Sequence, residues 1–174
     1  MHLLNTYFNE EDMSIYLLYG GKATNVQEMS SNVNIRMSRL KPFSKRGKGR
    51  IANFYWWLIC KKTFLCEIYD AETKELMHYT YAMKRSYKFP FMKKNDYMMG
   101  PSVTFEKFRG RGLLGKGLAY VQNEILALDE GANFVALIRE ENVSSRKGVE
   151  KSGIVNTGKK FAKNKMKIYK EVIE

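Results

Sequence analysis

Few residue types dictate a ligand chemistry, and this 174-residue chain gathers several of them in Arg109-Gly-Arg-Gly-Leu-Leu-Gly-Lys-Gly-Leu118. The turn follows a strand-like stretch and opens into a helix. It therefore presents unpaired backbone N–H groups and a positive dipole end to whatever sits before it. Arg109, Gly110, Arg111 and Gly112 make it a seat for a phosphate-bearing ligand. A mononucleotide P-loop needs Gly-x-x-x-x-Gly-Lys-Ser/Thr, and Gly112-Leu-Leu-Gly-Lys-Gly117 is too short and lacks the hydroxyl that would hold magnesium. Gly110-Arg-Gly-Leu-Leu-Gly115 matches the dinucleotide fingerprint literally. That unit nevertheless sits late in the chain, behind strands that read as antiparallel. A glycine turn used only for chain reversal is the remaining alternative.

The elements that must position this turn follow from periodicity. Phe64–Tyr69 and Leu76–Met83 are aromatic and β-favouring runs around Asp70–Lys74, which predicts a hairpin. The pattern is strand-like from residue 54 onward. Tyr97–Phe105 is a third strand, interrupted by Gly100-Pro101, where proline removes a ladder donor and predicts a bulge or splay. Leu114, Leu118, Val121, Ile125 and Leu128 fall on one face of the helix that follows. Gln122, Asn123, Glu124 and Asp129 lie largely on the other, and Gly131 stops it. Phe134–Ile138 is a continuous apolar run suited to a central strand covered on both faces. Asn142 can cap a second helix ending near Gly153, and two closing strands are expected around Ile154–Thr157 and Lys165–Tyr169. The first 35 residues read as a short strand or helix, a break at Gly20-Gly21, and one or two helical turns, and Lys45–Arg50 reads as a flexible basic loop. The whole is α/β with a mixed sheet, and residues 97–138 form its one parallel crossover.

Two linked blocks then narrow the ligand. Arg109-Gly-Arg-Gly112-Leu-Leu114 resembles the Arg/Gln-x-x-Gly-x-Gly/Ala pyrophosphate loop of the GNAT superfamily of acyl-CoA-dependent N-acyltransferases. Asn142-Val-Ser-Ser145 followed by Glu150-Lys-Ser-Gly153 resembles that family's next block, at the right distance and in the right order. Leu114 stands where a small residue is expected. The resemblance covers roughly residues 64–174. It implies a GNAT-like, mostly antiparallel central sheet flanked by helices and splayed between the strand near 97–105 and the strand near 133–139. Residues 1–174 would be a single domain with its cofactor-binding core at about 97–153.

The same resemblance implies site residues. N–H groups from Gly110 to Leu114, Leu113 included, would hold the pyrophosphate of acetyl-CoA, with Arg109 and Arg111 adding charge-assisted bonds or remaining solvated. The pantetheine arm would run beside Val103, Thr104 and Phe105, with main-chain bonds at Val103 and Phe105. An N–H of this strand would face the thioester carbonyl and stabilise the oxyanion. Asn142 would contact the arm or simply cap its helix, and Ser145 belongs to the same block. Family members often carry a tyrosine just before the Glu-Lys pair as the thiolate's acid; here that position is Val149. His78 is either a base or a satisfied core histidine, and Glu140 either a base or a helix-start carboxylate.

The acceptor is coded by no motif. The aromatic strand, Phe89–Met92 and Asp96-Tyr97 before Gly-Pro resemble bacterial acetyltransferases of surface-glycan pathways. That suggests an amino-sugar acceptor, free or nucleotide-linked, against a protein or small-molecule amine as alternative. Tyr79, Tyr81 and Tyr87 could stack on a sugar or pack in the core. A formal charge of +12, dense in Arg36–Arg50 and in the last third, favours an anionic acceptor. A non-catalytic nucleic-acid-binding module is the rival class, but the aromatics are not interleaved with residues 36–50 and 159–170 as stacking platforms are. Cys60 and Cys66 match no metal or redox spacing, and His2 and His78 do not complete a cluster with them, so no metal is expected. Buried thiols, no secretory signal and no apolar run near ~20 residues point to a cytoplasmic enzyme without a membrane span. A homodimer is compatible with all of this.

Overall fold

Alternating aromatic and β-branched residues build eight strands into one sheet. The computed structural model describes residues 14–21, 32–86, 88–163 and 169–172. The strands are β1 (Ser14–Gly21), β2 (Val33–Arg39), β3 (Cys60–Asp70), β4 (Leu76–Ser86), β5 (Asp96–Thr104), β6 (Asn133–Arg139), β7 (Val155–Lys163) and β8 (Tyr169–Val172). The helices are α1 (Arg50–Ile59), α2 (Leu113–Leu128) and α3 (Val143–Glu150). The sheet runs β2-β3-β4-β5-β6-β1-β7-β8, and β5–β6 is its parallel pair. The predicted hairpin is β3–β4, joined by a turn in which the Asp70 carboxylate accepts the Glu72 and Thr73 N–H groups.

Period-two alternation sorts side chains between two covered faces. Leu118, Val121 and Ile125 of α2 pack with Cys66, Ala82, Tyr97 and Phe134 on one face. Tyr79, Tyr81 and Met83 point the other way, into a layer with Leu65, Phe89 and Met98 that α1 partly covers. The α2 face differs from its sequence reading at both edges. Leu128 is exposed and Leu113 buried, while Gln122 is fully buried, its side-chain amide donating to the Ser152 carbonyl at 3.0 Å. A polar residue joins the buried stripe because α3's C-terminal turn offers it an acceptor.

Two further expectations need correction. Residues 54–59 form the body of a helix, not a strand. Asn53 fixes it: its amide donates to the Ser44 and Arg46 carbonyls, both at 2.8 Å, and its carbonyl accepts from Tyr81 Oη at 2.7 Å. The same contacts pin the basic loop before it, with the Lys48 N–H donating to Tyr81 Oη at 2.7 Å. Gly47 sits at φ 59°, and a Cβ there would meet the Tyr81 hydroxyl, so this turn requires glycine. The short element expected before Gly20-Gly21 is a strand, β1, and it lies inside the sheet between β6 and β7, antiparallel to both. Both closing strands are present, β7 over Val155–Lys163 and β8 over Tyr169–Val172. Residues 165–168 of the expected last strand and the helical turns across 22–31 fall outside the described residues.

Glu67 explains part of the basic segment. This buried carboxylate is paired with Arg36 at 3.0 Å and with the Arg46 guanidinium, which also donates to Ser38 Oγ at 2.9 Å. Burial alone would raise its pKa, but the two guanidiniums outweigh that and hold it below the usual carboxylate range. Removing Arg46 strands much of a buried charge. Arg46→Ala should cost about 3 kcal/mol by urea denaturation, the low end for breaking a buried pair because Arg36 remains. Since the folded pKa is depressed, the wild-type contribution is complete above about pH 4.3 and fades as pH falls further. A loss under about 1 kcal/mol for Arg46→Ala would refute this role.

Candidate functional site

Only three residue pairs join β5 to β6: Asp96 with Asn133, Tyr97 with Phe134 and Met98 with Val135. Beyond Met98 the strands separate. Against β4 the register jumps between Thr80–Ser102 and Ala82–Met99, which inserts one extra residue at Gly100-Pro101. The bulge predicted from that dipeptide thus coincides with the opening of the splay.

Two chambers meet in this gap. The lower, of about 650 Å³, lies before the α2 N-terminus. Gly112 caps α2 in the left-handed region at φ 69°, with no side-chain cap, so the first-turn N–H groups face outward without a covalently built partner. Of the predicted cofactor residues, Val103, Thr104, Arg109, Gly110, Gly112, Leu113, Leu114, Asn142 and Ser145 line this chamber. Arg111 does not; its guanidinium lies over the Phe108 ring, 5.3 Å from the centroid. Lys147 and Lys151, from the far side of α3, also line the chamber. Their helical spacing makes them cluster, but nothing local in the sequence ties them to the glycine turn.

Helix packing accounts for the unusual Leu114. A Cβ on Gly148 of α3 would come within 2.7 Å of Leu114 Cδ2, so the leucine occupies the space that glycine leaves. At the next contact, a Cβ on Gly115 would lie 3.1 Å from the Gly148 carbonyl. Asn142 accepts the Ser145 N–H at 3.0 Å as the α3 cap, and both residues line both chambers. Its two anticipated roles are therefore compatible.

Strand parity corrects the expected main-chain donors. The Phe105 N–H donates to the Met77 carbonyl at 3.0 Å, so it points to β4. Alternation sends Val103 the same way and turns Ser102 and Thr104 toward the splay. Phe105 also lies outside both linings, its ring edge-on to Tyr79.

The upper chamber, of about 460 Å³, opens toward α1. Its wall combines the apolar floor of β5 and β6 with Tyr16, Trp56, Phe89 and Tyr169 and the cations Lys48, Lys88, Arg139 and Lys163. Val149, the position that lacks the expected phenol, lines it too. Tyr16 reaches it from β1, its hydroxyl accepting from Arg139 Nε at 3.3 Å. Tyr16 lies in the loosely patterned N-terminal stretch, far from any motif, which is why sequence reasoning missed it. Burial pushes the Tyr169 hydroxyl up to about 12. Tyr79 and Tyr81 do not line this chamber but pack in the layer beneath it; Tyr87 lies outside the described residues.

Neither anticipated base reaches the upper chamber. Glu140 lines neither chamber; its carboxylate is 3.8 Å from Lys160 and its carbonyl accepts from Arg146 Nη1 at 3.0 Å. His78 is fully buried under α2, on the lower side, where a Cβ on Gly117 would lie 3.3 Å from its ring. Its Nδ1 meets Thr104 Oγ1 at 2.7 Å, and Nε2 has no partner. Burial pushes its pKa down to about 4.

No protein-family profile matches this sequence, and no curated protein matches it significantly. Solved structures do. A tandem GNAT protein from the clavulanic acid biosynthesis pathway superposes with a TM-score of 0.64 at 12% identity, over 83% of this chain and 51% of that one. A GNAT-family acetyltransferase from Colwellia psychrerythraea gives 0.53 at 13% identity, over 89% and 59%. A GCN5-related N-acetyltransferase from Kribbella flavida gives 0.50 at 12%, over 84% and 57%. This chain spans little more than half the length of the proteins it resembles. It has the GNAT fold.

His78 should behave as a neutral core histidine. Its ring signals by NMR should not titrate between about pH 5 and 8, whereas a midpoint near 6.5 would overturn this placement. Because its folded pKa is depressed, its share of stability is present above about 6.5 and declines as pH falls toward 4.

Proposed function

We propose that the chain is an acyl-CoA-dependent N-acyltransferase that moves an acetyl group from acetyl-CoA to a primary amine on an anionic acceptor, an amino sugar or nucleotide-linked amino sugar. The observation that carries this reading is the splay, which joins an anion seat on one side to a cationic, aromatic chamber on the other.

In this reading the pyrophosphate rests on the first-turn N–H groups of α2 and on Arg109, with Lys147 and Lys151 as further cations. Those groups are preorganised by the backbone and need no rearrangement to receive charge. The pantetheine arm passes through the splay and takes main-chain bonds from Ser102 and Thr104. The thioester then lies at the β5 bulge. The acceptor enters the upper chamber, where Lys88, Lys163 and Arg139 attract its anionic group and Trp56, Phe89 and Tyr169 cover its apolar face. The amine attacks the thioester carbonyl, the C–N bond forms, and the tetrahedral oxyanion is held by an N–H of the splayed strand. As the C–S bond breaks, coenzyme A leaves as a thiolate that takes up a proton.

In this reading Tyr16 supplies that proton, a role supported by Arg139, which donates to its oxygen and leaves the O–H to donate elsewhere. Among the described residues the upper chamber is lined by no carboxylate or histidine. The amine therefore loses its proton to water, and log kcat/KM should rise with unit slope up to the acceptor amine's own pKa.

Acetyl-CoA should raise the melting temperature at micromolar to sub-millimolar concentration. Gly112→Glu should remove that shift, because it places a carboxylate in the anion seat; the left-handed backbone costs the fold only about 1–2 kcal/mol. A thiol-release screen over amino sugars, nucleotide-linked amino sugars, amino acids and polyamines should then give turnover with the sugars and little with polyamines. Stabilisation by oligonucleotides alone, with a steep salt dependence, would refute the enzyme reading. Tyr16→Phe should lower kcat about 100-fold with little change in KM; unchanged kcat would remove Tyr16 from the chemistry.

A further inference from the structure

We propose that α1 and the loop before it form a face that docks on an anionic lipid bilayer. A surface helix normally turns its apolar stripe to the core and its polar residues to water. In α1, Trp56 and Ile59 pack against the sheet, yet a second apolar stripe points away from it. Ile51, Phe54, Tyr55 and Leu58 share one face by their i, i+3, i+4, i+7 spacing, and all are exposed, Ile51 at 90% and Leu58 at 65%. The residue of α1 that is buried is Asn53. Trp57, half exposed, and Phe43, from the loop, widen the stripe: the Phe43 and Phe54 rings stack at 4.7 Å, and Phe54 and Trp57 at 6.0 Å. A contiguous exposed patch of this kind marks a surface that something covers.

Charge identifies the occupant. Exposed Lys41, Lys45, Lys48, Arg50 and Lys61 surround the stripe, and no Asp or Glu occurs between residues 33 and 66. A second copy of the chain meeting this face symmetrically would set these cations against themselves. An anionic headgroup layer neutralises them while the aromatic and aliphatic residues enter its boundary, where tryptophan, tyrosine and lysine are favoured. At ten residues α1 can lie in that boundary but is far too short to cross a bilayer. Lys48 and Trp56 also line the upper chamber, so that chamber adjoins α1. The docking itself does not depend on the acyl-transfer reading.

Both tryptophans of the chain sit on α1, Trp57 in the exposed stripe and Trp56 turned inward against the sheet, so tryptophan emission reports on this helix. The whole chain should co-sediment with phosphatidylcholine vesicles containing roughly 30% phosphatidylserine at low salt, with a blue-shifted tryptophan emission. Binding to phosphatidylcholine alone should be much weaker, and salt at about 0.5 M should weaken binding to the mixed vesicles. The double variant Ile51→Ser, Leu58→Ser should lose about tenfold or more in vesicle affinity while keeping its melting temperature and its acetyl-CoA shift. Three results would overturn the proposal. They are no co-sedimentation with anionic vesicles at low salt, binding that the double variant leaves unchanged, and a concentration-dependent dimer split by that variant in place of vesicle binding.

Discussion

The parting of β5 from β6 is the constraint on which the rest of the structure depends. Two parallel strands begin with three ladder pairs and then diverge, leaving main-chain groups of Ser102 and Thr104 without a neighbouring strand. In a sheet otherwise closed on both faces, that is a costly arrangement unless another group supplies the missing bonds. The extra residue at Gly100-Pro101 produces it locally. The N-terminus of helix α2 ends at the same gap. On the far side β1 pairs with β6 from Phe134 to Arg139, so β6 stays held in the sheet after its ladder with β5 has ended.

Around the gap, the chain divides its positive charge between structure and surface. Arg36 and Arg46 are committed to Glu67, and Lys84 to Asp129. These pairs fix the sheet and the loop before α1. Further cations line the two chambers or lie near α1, and others pair on the surface, Lys107 with Glu75 and Lys159 with Glu171. A formal charge of +12 is therefore not one diffuse field. It is separated by fold position into counterions of Glu67 and Asp129, the linings of two chambers and an exposed rim at α1.

How much was legible in the sequence depends on how local each determinant is. The glycine turn, the capped α3 and the bulge at Gly100-Pro101 each rest on backbone requirements of adjacent residues, and each was read from a few positions. The hairpin and the α2 periodicity were legible for the same reason. What failed was decided at long range. Residues 54–59 read as strand because aromatic composition favours it, whereas a tertiary knot among Asn53, Tyr81 and the carbonyls of Ser44 and Arg46 makes them helical. Gln122 read as exposed because periodicity cannot see the Ser152 carbonyl. Val103 and Phe105 were misassigned as donors because strand parity depends on which partner strand binds which side.

The sequence by itself determined a strand–turn–helix unit able to seat a phosphate, a second capped helix placed to complete it, and an excess of cations, because these depend on residue type and near-neighbour spacing. Only the tertiary structure decided what surrounds that seat. It brought Tyr16 from the N-terminal strand and Lys163 from β7 to one chamber wall, took His78 and Glu140 away from it, and turned the apolar stripe of α1 outward. The reason is that a side chain's neighbours across a sheet are set by strand order and register. Those follow from the summed packing of the whole chain, which no local pattern encodes.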